Sequence, residues 1–281
     1  MNLCHSLWSS YNALKQEYVE LERFLKEENK ITLFQFQEAI KKLTILKEEF
    51  NASLYTKLPD GKEIYTLDYI SLIRICEANE LDFLSVLERQ DNESLSHNDH
   101  FLNQDKRINS LKLGNLNLKS LDVSTFNALT ELRCSHNQLE ILDVSNNPKL
   151  IELHCTNNLL THLNTSQNFS LKQLSCSCNL ITTLDISKNT ELRWLGCSEN
   201  QLSYLDVSEN TSLSELLCAN NKLTKLDVSN NSNLTAVYCR DNRIISLLSL
   251  LDLQNLISVD AASNPLDEVS IQLAKIRRWK I

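Results

Sequence analysis

The sequence predicts an α+β chain: a solenoid of stacked coils, preceded by an all-helical module and closed by a C-terminal helix. Three observations carry this. Cys134, Cys155, Cys176, Cys197, Cys218 and Cys239 stand 21 residues apart, a spacing that chance does not give a scarce residue. One phrase surrounds each cysteine, as in Leu132-Arg133-Cys134-Ser135-His136-Asn137 and Leu153-His154-Cys155-Thr156-Asn157-Asn158. A second phrase alternates with it: Leu142-Asp143-Val144-Ser145-Asn146-Asn147, then Leu184-Asp185-Ile186-Ser187-Lys188-Asn189. A fixed period of this kind means repeats that hide their apolar faces by stacking on one another.

The first region, residues 1–95, has helical periodicity and no repeat. Tyr11, Leu14, Tyr18, Leu21 and Leu25 recur at steps of three and four, as do Phe36, Ile40, Leu43, Leu46 and Phe50. Thr32 and Gln35 form a capping box before the second helix. Pro59-Asp60-Gly61 reads as a turn, proline presetting one angle and glycine accepting positive φ. A third helical stretch runs from about Thr66 to Gln90 with a break near Asn79. This module is expected to cover the first coil of the array. Polar residues 96–107 read as a linker or edge loop.

The array spans 108–265. Each coil joins a Leu-x-x-Leu-x-Cys-x-x-Asn half to a Leu-x-x-Leu-Asp-Val-Ser-x-Asn half. Leucines and the Cys or Val point inward, and the residues between them point out. Asn137, Asn158, Asn179, Asn200, Asn221, Asn242 and Asn264 form one ladder; Asn147, Asn168, Asn189, Asn210 and Asn231 form a second. An asparagine amide at a sharp bend satisfies backbone groups that the bend leaves unpaired. Asp122, Asp143, Asp185, Asp206 and Asp227 would stack like charges, so each is expected to accept local backbone N–H bonds, with Asn164 replacing one of them. Phe126 stands where the first coil wants Asn, and Ala261 replaces the last cysteine. Asn264-Pro265 reads as the start of the closing helix, 266–281, with Leu266, Val269, Leu273 and Ile276 as its inward stripe.

Composition narrows the function. A net charge of −8 argues against a nucleic-acid surface, which would carry a basic stripe. Three glycines leave no Gly-rich phosphate loop. The nine cysteines sit mostly where Leu or Val would serve, so they read as small buried hydrophobes. Stacked coils lie roughly 5 Å apart, within reach of a disulfide. Six equivalent thiols define no unique pairing, however, and the expectation is reduced cysteines in a cytosolic, reducing compartment. Met1 to Lys15 has no apolar run of signal-peptide length, and no stretch approaches the ~18 apolar residues of a membrane helix. Any export is therefore expected to proceed without a cleaved leader.

The two phrases resemble leucine-rich repeats of the 21-residue nested kind common in bacteria, over about 155 residues. The resemblance implies a curved rod with a parallel sheet on its concave side, serving to bind proteins. A helical front module joined to a short array is similar in layout to effectors that intracellular bacteria such as Legionella inject into host cells. That likeness implies a virulence protein, translocated into the host cytoplasm, whose partner is a host protein. Some relatives in this class are ubiquitin ligases with a large catalytic domain beside the repeats. Here 16 residues follow Pro265, and Cys76, in the apolar run Ile73-Arg74-Ile75-Cys76, reads as core, so no enzyme is expected. The alternative is an adaptor linking a host ubiquitin-ligase component to a target held by the repeats, since Leu58-Pro59 resembles the opening of an F-box.

If the cysteine half forms the concave strand, its outward residues fall into columns: Glu131, Glu152, Gln173, Trp194, Glu215, Ala236, and then Arg133, His154, Ser175, Gly196, Leu217, Tyr238. Trp194, Leu217 and Tyr238 are the large apolar exceptions on a polar face, with Gly196 leaving room beside them. Exposed aromatics beside a charged rim resemble a binding hot spot. The candidate partner surface is therefore Trp194, Leu217 and Tyr238, with Glu215, Arg240, His154 and Arg133 as its charged surroundings. Glu131, Arg133, Glu152 and His154 alternate in sign as a solvated sheet does, with no nucleophile beside them. His97-Asn98-Asp99-His100 lacks companion ligands, and the array lacks the Gly-rich Asp phrase of calcium-binding rolls. No metal, cofactor or small-molecule substrate is expected. Cys178, two residues beyond the buried position of Cys176, is the most reactive thiol candidate. The basic tail, Lys275 to Lys280, complements a helix dipole; contact with an anionic membrane is its second reading.

Overall fold

A computed structural model describes residues 55–57, 63–83, 85, 86, 90, 102 and 104–281. The helical stretches read at 11–25 and 32–50, the turn at Pro59-Asp60-Gly61, the Leu58-Pro59 pair, His97, His100 and the expected boundary at 95/96 lie outside these residues. The chain divides into two compact units, Met1–Arg74 with Leu102–Arg107, and Ile75–Phe101 with Ile108–Ile281.

In the first unit, β1 (Tyr55–Lys57) pairs antiparallel with β2 (Glu63–Tyr65), Tyr55 opposite Tyr65. Helix α1 (Thr66–Ala78) follows directly. The hairpin is a departure from an all-helical module. Its strands are rich in aromatic and β-branched residues, which favour a pleated surface, but three residues are too few to display a period of two. Arg107 forks onto the buried Asp68, both bonds at 3.0 Å, and its guanidinium lies 4.1 Å from the centre of the Tyr65 ring. A buried carboxylate needs such a paired cation.

Helix α1 ends where a break was read, with Glu80 in the left-handed region. Within the second unit, Asn79 accepts from the N–H groups of Lys119 and Ser120 and donates to the Ser120 carbonyl. Gln90 brackets Lys112 in the same way, donating to its carbonyl and accepting from its N–H. Two side-chain amides thus stand in for the coil that would otherwise precede the first one, and hide its open backbone edge.

Eight strands then stack in sequence order as one parallel sheet: β3 (Ser110–Lys112), β4 (Glu131–Arg133), β5 (Glu152–His154), β6 (Gln173–Ser175), β7 (Trp194–Gly196), β8 (Glu215–Leu217), β9 (Ala236–Tyr238) and β10 (Ser258–Asp260). The register follows the repeat: Leu132 pairs with Leu153, Leu153 with Leu174, Leu174 with Leu195, Leu195 with Leu216 and Leu216 with Val237. These side chains are fully buried, as are Cys134, Cys155, Cys176, Cys197, Cys218 and Cys239. A three-residue strand cannot hold itself together; each buried leucine contributes about 2 kcal/mol, and neighbouring coils share that burial. The cysteines of the array are all free. Burial pushes the Cys134, Cys176 and Cys239 thiols up to about 12, so they are protonated, inert packing groups at neutral pH.

Both asparagine ladders form, but they do different work. Asn200 accepts from the Ile181 N–H at 3.0 Å and donates to the carbonyls of Cys176 and Cys197 at 3.0 and 3.1 Å. Its equivalents repeat the pattern. In the second ladder the NH2 alone is used at Asn147, Asn168, Asn210 and Asn231, whose side-chain oxygens have no partner. Asn189 differs because Thr165, standing where other coils carry Val or Ile, donates to it at 2.7 Å. Phe126 fills the missing Asn position of the first coil and is fully buried. A third column was not foreseen. His136, Asn157, Cys178, Glu199, Asn220 and Asp241 all adopt positive φ, between 52° and 58°. Asn, Asp and His tolerate this conformation better than Cys178 and Glu199 do.

Each stacked aspartate accepts the N–H two residues on, at 2.9 to 3.3 Å from Asp122 to Asp227, and Asn164 does the same for Ser166 at 3.0 Å. Hydrogen bonds from Ser229 and Lys225 hold the Asp227 carboxyl down at about 2, against an ordinary 3.8. A carboxylate depressed in the folded state stabilises above its unfolded pKa and loses that contribution as pH falls through the folded one. Melting temperature is therefore expected to fall between pH 4 and pH 2. Asp227→Asn should flatten part of that fall, since Asn164 shows that an amide keeps the turn. An unchanged acid profile in Asp227→Asn would dismiss this account.

The closing helix α2 spans Glu268–Arg277, and two expectations about it are corrected. Its N-cap is Asp267, whose carboxylate accepts from the Ser270 N–H at 2.8 Å, and not Asn264. Asn264 is committed elsewhere, as the last rung of its ladder: it accepts from Ile244 and donates to Cys239 and Ala261. The inward face is Ser270, Leu273 and Ala274, while Val269 and Ile276 are exposed. After α2 the chain returns to the sheet. Lys280 bridges to Asp260 in parallel, and Trp279 is buried. The basic tail is thus part of the seal on the last coil, with Lys280 paired to Asp260 at 2.7 Å and Arg277 donating to the Leu251 carbonyl. Among the described residues no helix is long and apolar enough to cross a membrane.

Candidate interaction face

The strands fall on the cysteine half of each coil, so the two outward columns read from the sequence are real rows of neighbours. Trp194 stands opposite Glu215, and Gly196, Leu217 and Tyr238 are consecutive partners across β7, β8 and β9. Trp194, Leu217 and Tyr238 are each half-buried. A Cβ on Gly196 would lie 2.4 Å from Cη2 and 2.8 Å from Cζ3 of Trp194. The indole therefore fills the space where a Cβ of Gly196 would sit, in the Leu217–Tyr238 column. Three coils in succession present apolar groups to one side, separated by the strand spacing of about 4.8 Å.

The charged residues divide. Glu215 is exposed beside Trp194 and open to a partner. Arg240 is tied to Asp241 at 2.7 Å. Arg133 and His154 are neighbours in register, two strands and one strand beyond Ser175 from the aromatic group. Arg133 bonds Glu131 and lies 3.4 Å from Glu152, and His154 lies 3.4 Å from the same Glu152 carboxylate. Glu131 is buried and also accepts from Ser110 at 2.6 Å. This end of the face is a closed ion-pair network whose charges are already partnered. The structure brings Trp194, Leu217, Tyr238 and Glu215 together and leaves Arg133 and His154 apart from them.

The column extends over all eight strands of the sheet. It begins at Lys112, opposite Arg133, and ends at Asp260, opposite Tyr238. The signals were present: Leu111-x-Leu113 at one end and Val259-x-Ala261 at the other keep the phrase with Leu and Ala in place of Cys. Cys178 is partly exposed, and burial together with Glu199 raises its pKa, which lowers its thiolate fraction. Among the described residues no group of three or more His, Cys, Asp or Glu side chains is placed to hold a metal ion. A 250 Å3 groove lies on the Asp-Val-Ser side, lined by Tyr204, Asp206, Ser208, Lys225 and Asp227 among others.

A parallel sheet of one short strand per 21-residue coil, sealed at its end, defines the leucine-rich-repeat fold, a scaffold of the protein-binding type. Solved structures place the chain within it. The functional domain of InlJ from Listeria monocytogenes, which includes a cysteine ladder, is similar at 30% identity and a TM-score of 0.51, over 60% of this chain and 47% of that one. Internalin C2 from Listeria monocytogenes is similar at 27% identity and a TM-score of 0.57, over 62% and 79%. A Shigella effector leucine-rich-repeat domain shares the fold at 23% identity and a TM-score of 0.52, over 69% and 90%. The chain spans about half the length of the InlJ structure. No family model matches the sequence, and no curated protein matches it.

Proposed function

We propose that the protein is a non-enzymatic interaction module that grips a protein partner through the sheet face around Trp194, Leu217 and Tyr238. The indole lying across Gly196 carries this reading. It gives the face a continuous apolar strip, held on rigid backbone, that loses little entropy on association. Large half-buried aromatics are the residues that dominate interface energies. Glu215 orients the approach from the rim, with Arg240, Arg133 and His154 as more distant charges. The partner is a host protein and the module an injected bacterial effector. The layout of the chain supports this, as does the fold it shares with a Shigella effector domain.

The test is capture of the partner from host-cell lysate by wild type and by the Trp194→Ala/Tyr238→Ala double variant. Loss of about 2 kcal/mol or more per anchor predicts a partner held by wild type and absent from the variant. Unchanged melting would show that the fold is intact. A partner that the double variant holds as well as wild type would place the site elsewhere and end this reading.

A further inference from the structure

An open solenoid is closed by a cap whose outer face is polar, because an apolar one would extend the stack to other molecules. The cap here departs from that rule. On α2, Val269 is 60% and Ile276 is 79% exposed. The segment beside the helix adds to them. Leu248 and Leu251 are also exposed, and their stretch is pinned along α2 by three bonds: Asp267 N–H to Ile245, Leu247 N–H to the Ser270 hydroxyl, and Arg277 to the Leu251 carbonyl. Exposed aliphatic side chains thus occur both on the cap helix and on the segment bonded along it.

The order of residues on α2 says what covers them. The pairs Glu268-Val269 and Lys275-Ile276 stand seven residues apart, two helical turns, so Val269 and Ile276 share a stripe and Glu268 and Lys275 share its edge. Apolar residue repeats over apolar residue, while the charge reverses. An antiparallel copy of the same helix, laid face to face, sets Val269 on the partner's Ile276 and Glu268 near the partner's Lys275, twice over. A surface that is its own complement under a two-fold rotation is the signature of an isologous contact. A lipid surface fits less well, since the acidic Asp267-Glu268 end would face the same anionic headgroups as the basic end.

We propose that the exposed Val269–Ile276 stripe of α2 is a dimer interface for a second copy of this chain, the two helices antiparallel about a two-fold axis. The proposal uses none of the residues assigned to the sheet face and stands apart from the function given above.

Sedimentation velocity of the full chain over a range of concentrations tests it. Wild type is expected to pass from monomer to dimer. Ile276→Glu should weaken association by about tenfold or more, because it buries two carboxylates in the contact, with melting unchanged. Glu268→Lys and Lys275→Glu, each alone, place like charges opposite one another and should sediment as monomers. Mixed in equal amounts they restore opposite charges at both places and should dimerise, which damage to the helix alone would not reverse. Lys275 serves here because Arg277 also anchors Leu251. Wild type that stays monomeric, a dimer indifferent to Ile276→Glu, or a mixture that fails to dimerise would each overturn the proposal. So would a monomer that instead co-sediments with phosphatidylserine vesicles.

Discussion

Asn200→Ala is expected to lower the unfolding free energy by about 3 kcal/mol or more, a loss few other polar substitutions in this chain should match. The residue is 8% exposed and carries the bend between two coils. Removing its amide strands the Ile181 N–H and withdraws a donor shared by the carbonyls of Cys176 and Cys197, with Ser198 a weaker third acceptor at 3.2 Å. Each buried group so orphaned costs about 1 to 3 kcal/mol, and a water could replace the amide only by opening the packed bend. The second ladder offers an internal comparison. Asn210 uses only its NH2, toward Ile186 and Asn189, so Asn210→Ala should cost less. Urea unfolding of both variants, with the exposed Thr183→Ala as a control within about 0.5 kcal/mol of wild type, measures the order. A loss of under about 1 kcal/mol in Asn200→Ala would mean that the ladder is decoration on a fold held by leucines.

Gly196→Val is expected to reduce partner binding by about tenfold or more while leaving stability near that of wild type. The position does not need glycine for its backbone. It lies in a regular strand, and valine suits a strand. What needs glycine is the indole of Trp194, which occupies the space where a Cβ would go. The substitution keeps every aromatic side chain and displaces one of them, so it separates the presence of Trp194 from its placement. Partner affinity by calorimetry and melting temperature by circular dichroism report the two consequences. Full affinity with the indole displaced would show that the strip across Gly196 is not what the partner reads.

The two dimer and interface surfaces make different demands on the same scaffold. The sheet face sets two aromatics and a leucine on three adjacent coils inside a polar field, whereas the cap exposes branched aliphatics. Four of the depressed aspartates lie on the Asp-Val-Ser side, at the bends of single coils, while Asp241 beside Arg240 and Asp267 at the α2 N-cap are lowered as well.

Much of this was legible in the residues, for a physical reason. In a solenoid each coil touches only its neighbours, so a contact between coils is a contact between positions 21 apart, and the period alone set strand register, buried columns and asparagine ladders. Asp143 and its equivalents were expected to accept local N–H groups because like charges stacked at the coil spacing need compensation, and they do. Phe126 and Ala261 marked the ends because a residue that breaks a ladder belongs where the ladder stops.

What the period does not encode was decided by tertiary contacts. A helical stripe of Leu266, Val269, Leu273 and Ile276 said that α2 has an apolar side, not which side turns inward. Ser270 won that place because its hydroxyl accepts the Leu247 N–H, which the irregular last coil leaves without a ladder partner. The β1–β2 hairpin was too short to show alternation. The seat of the Trp194 indole depended on a single missing methyl group two residues along the same strand. The repeat determined where each backbone runs; single side chains meeting unpaired groups determined which surfaces it presents.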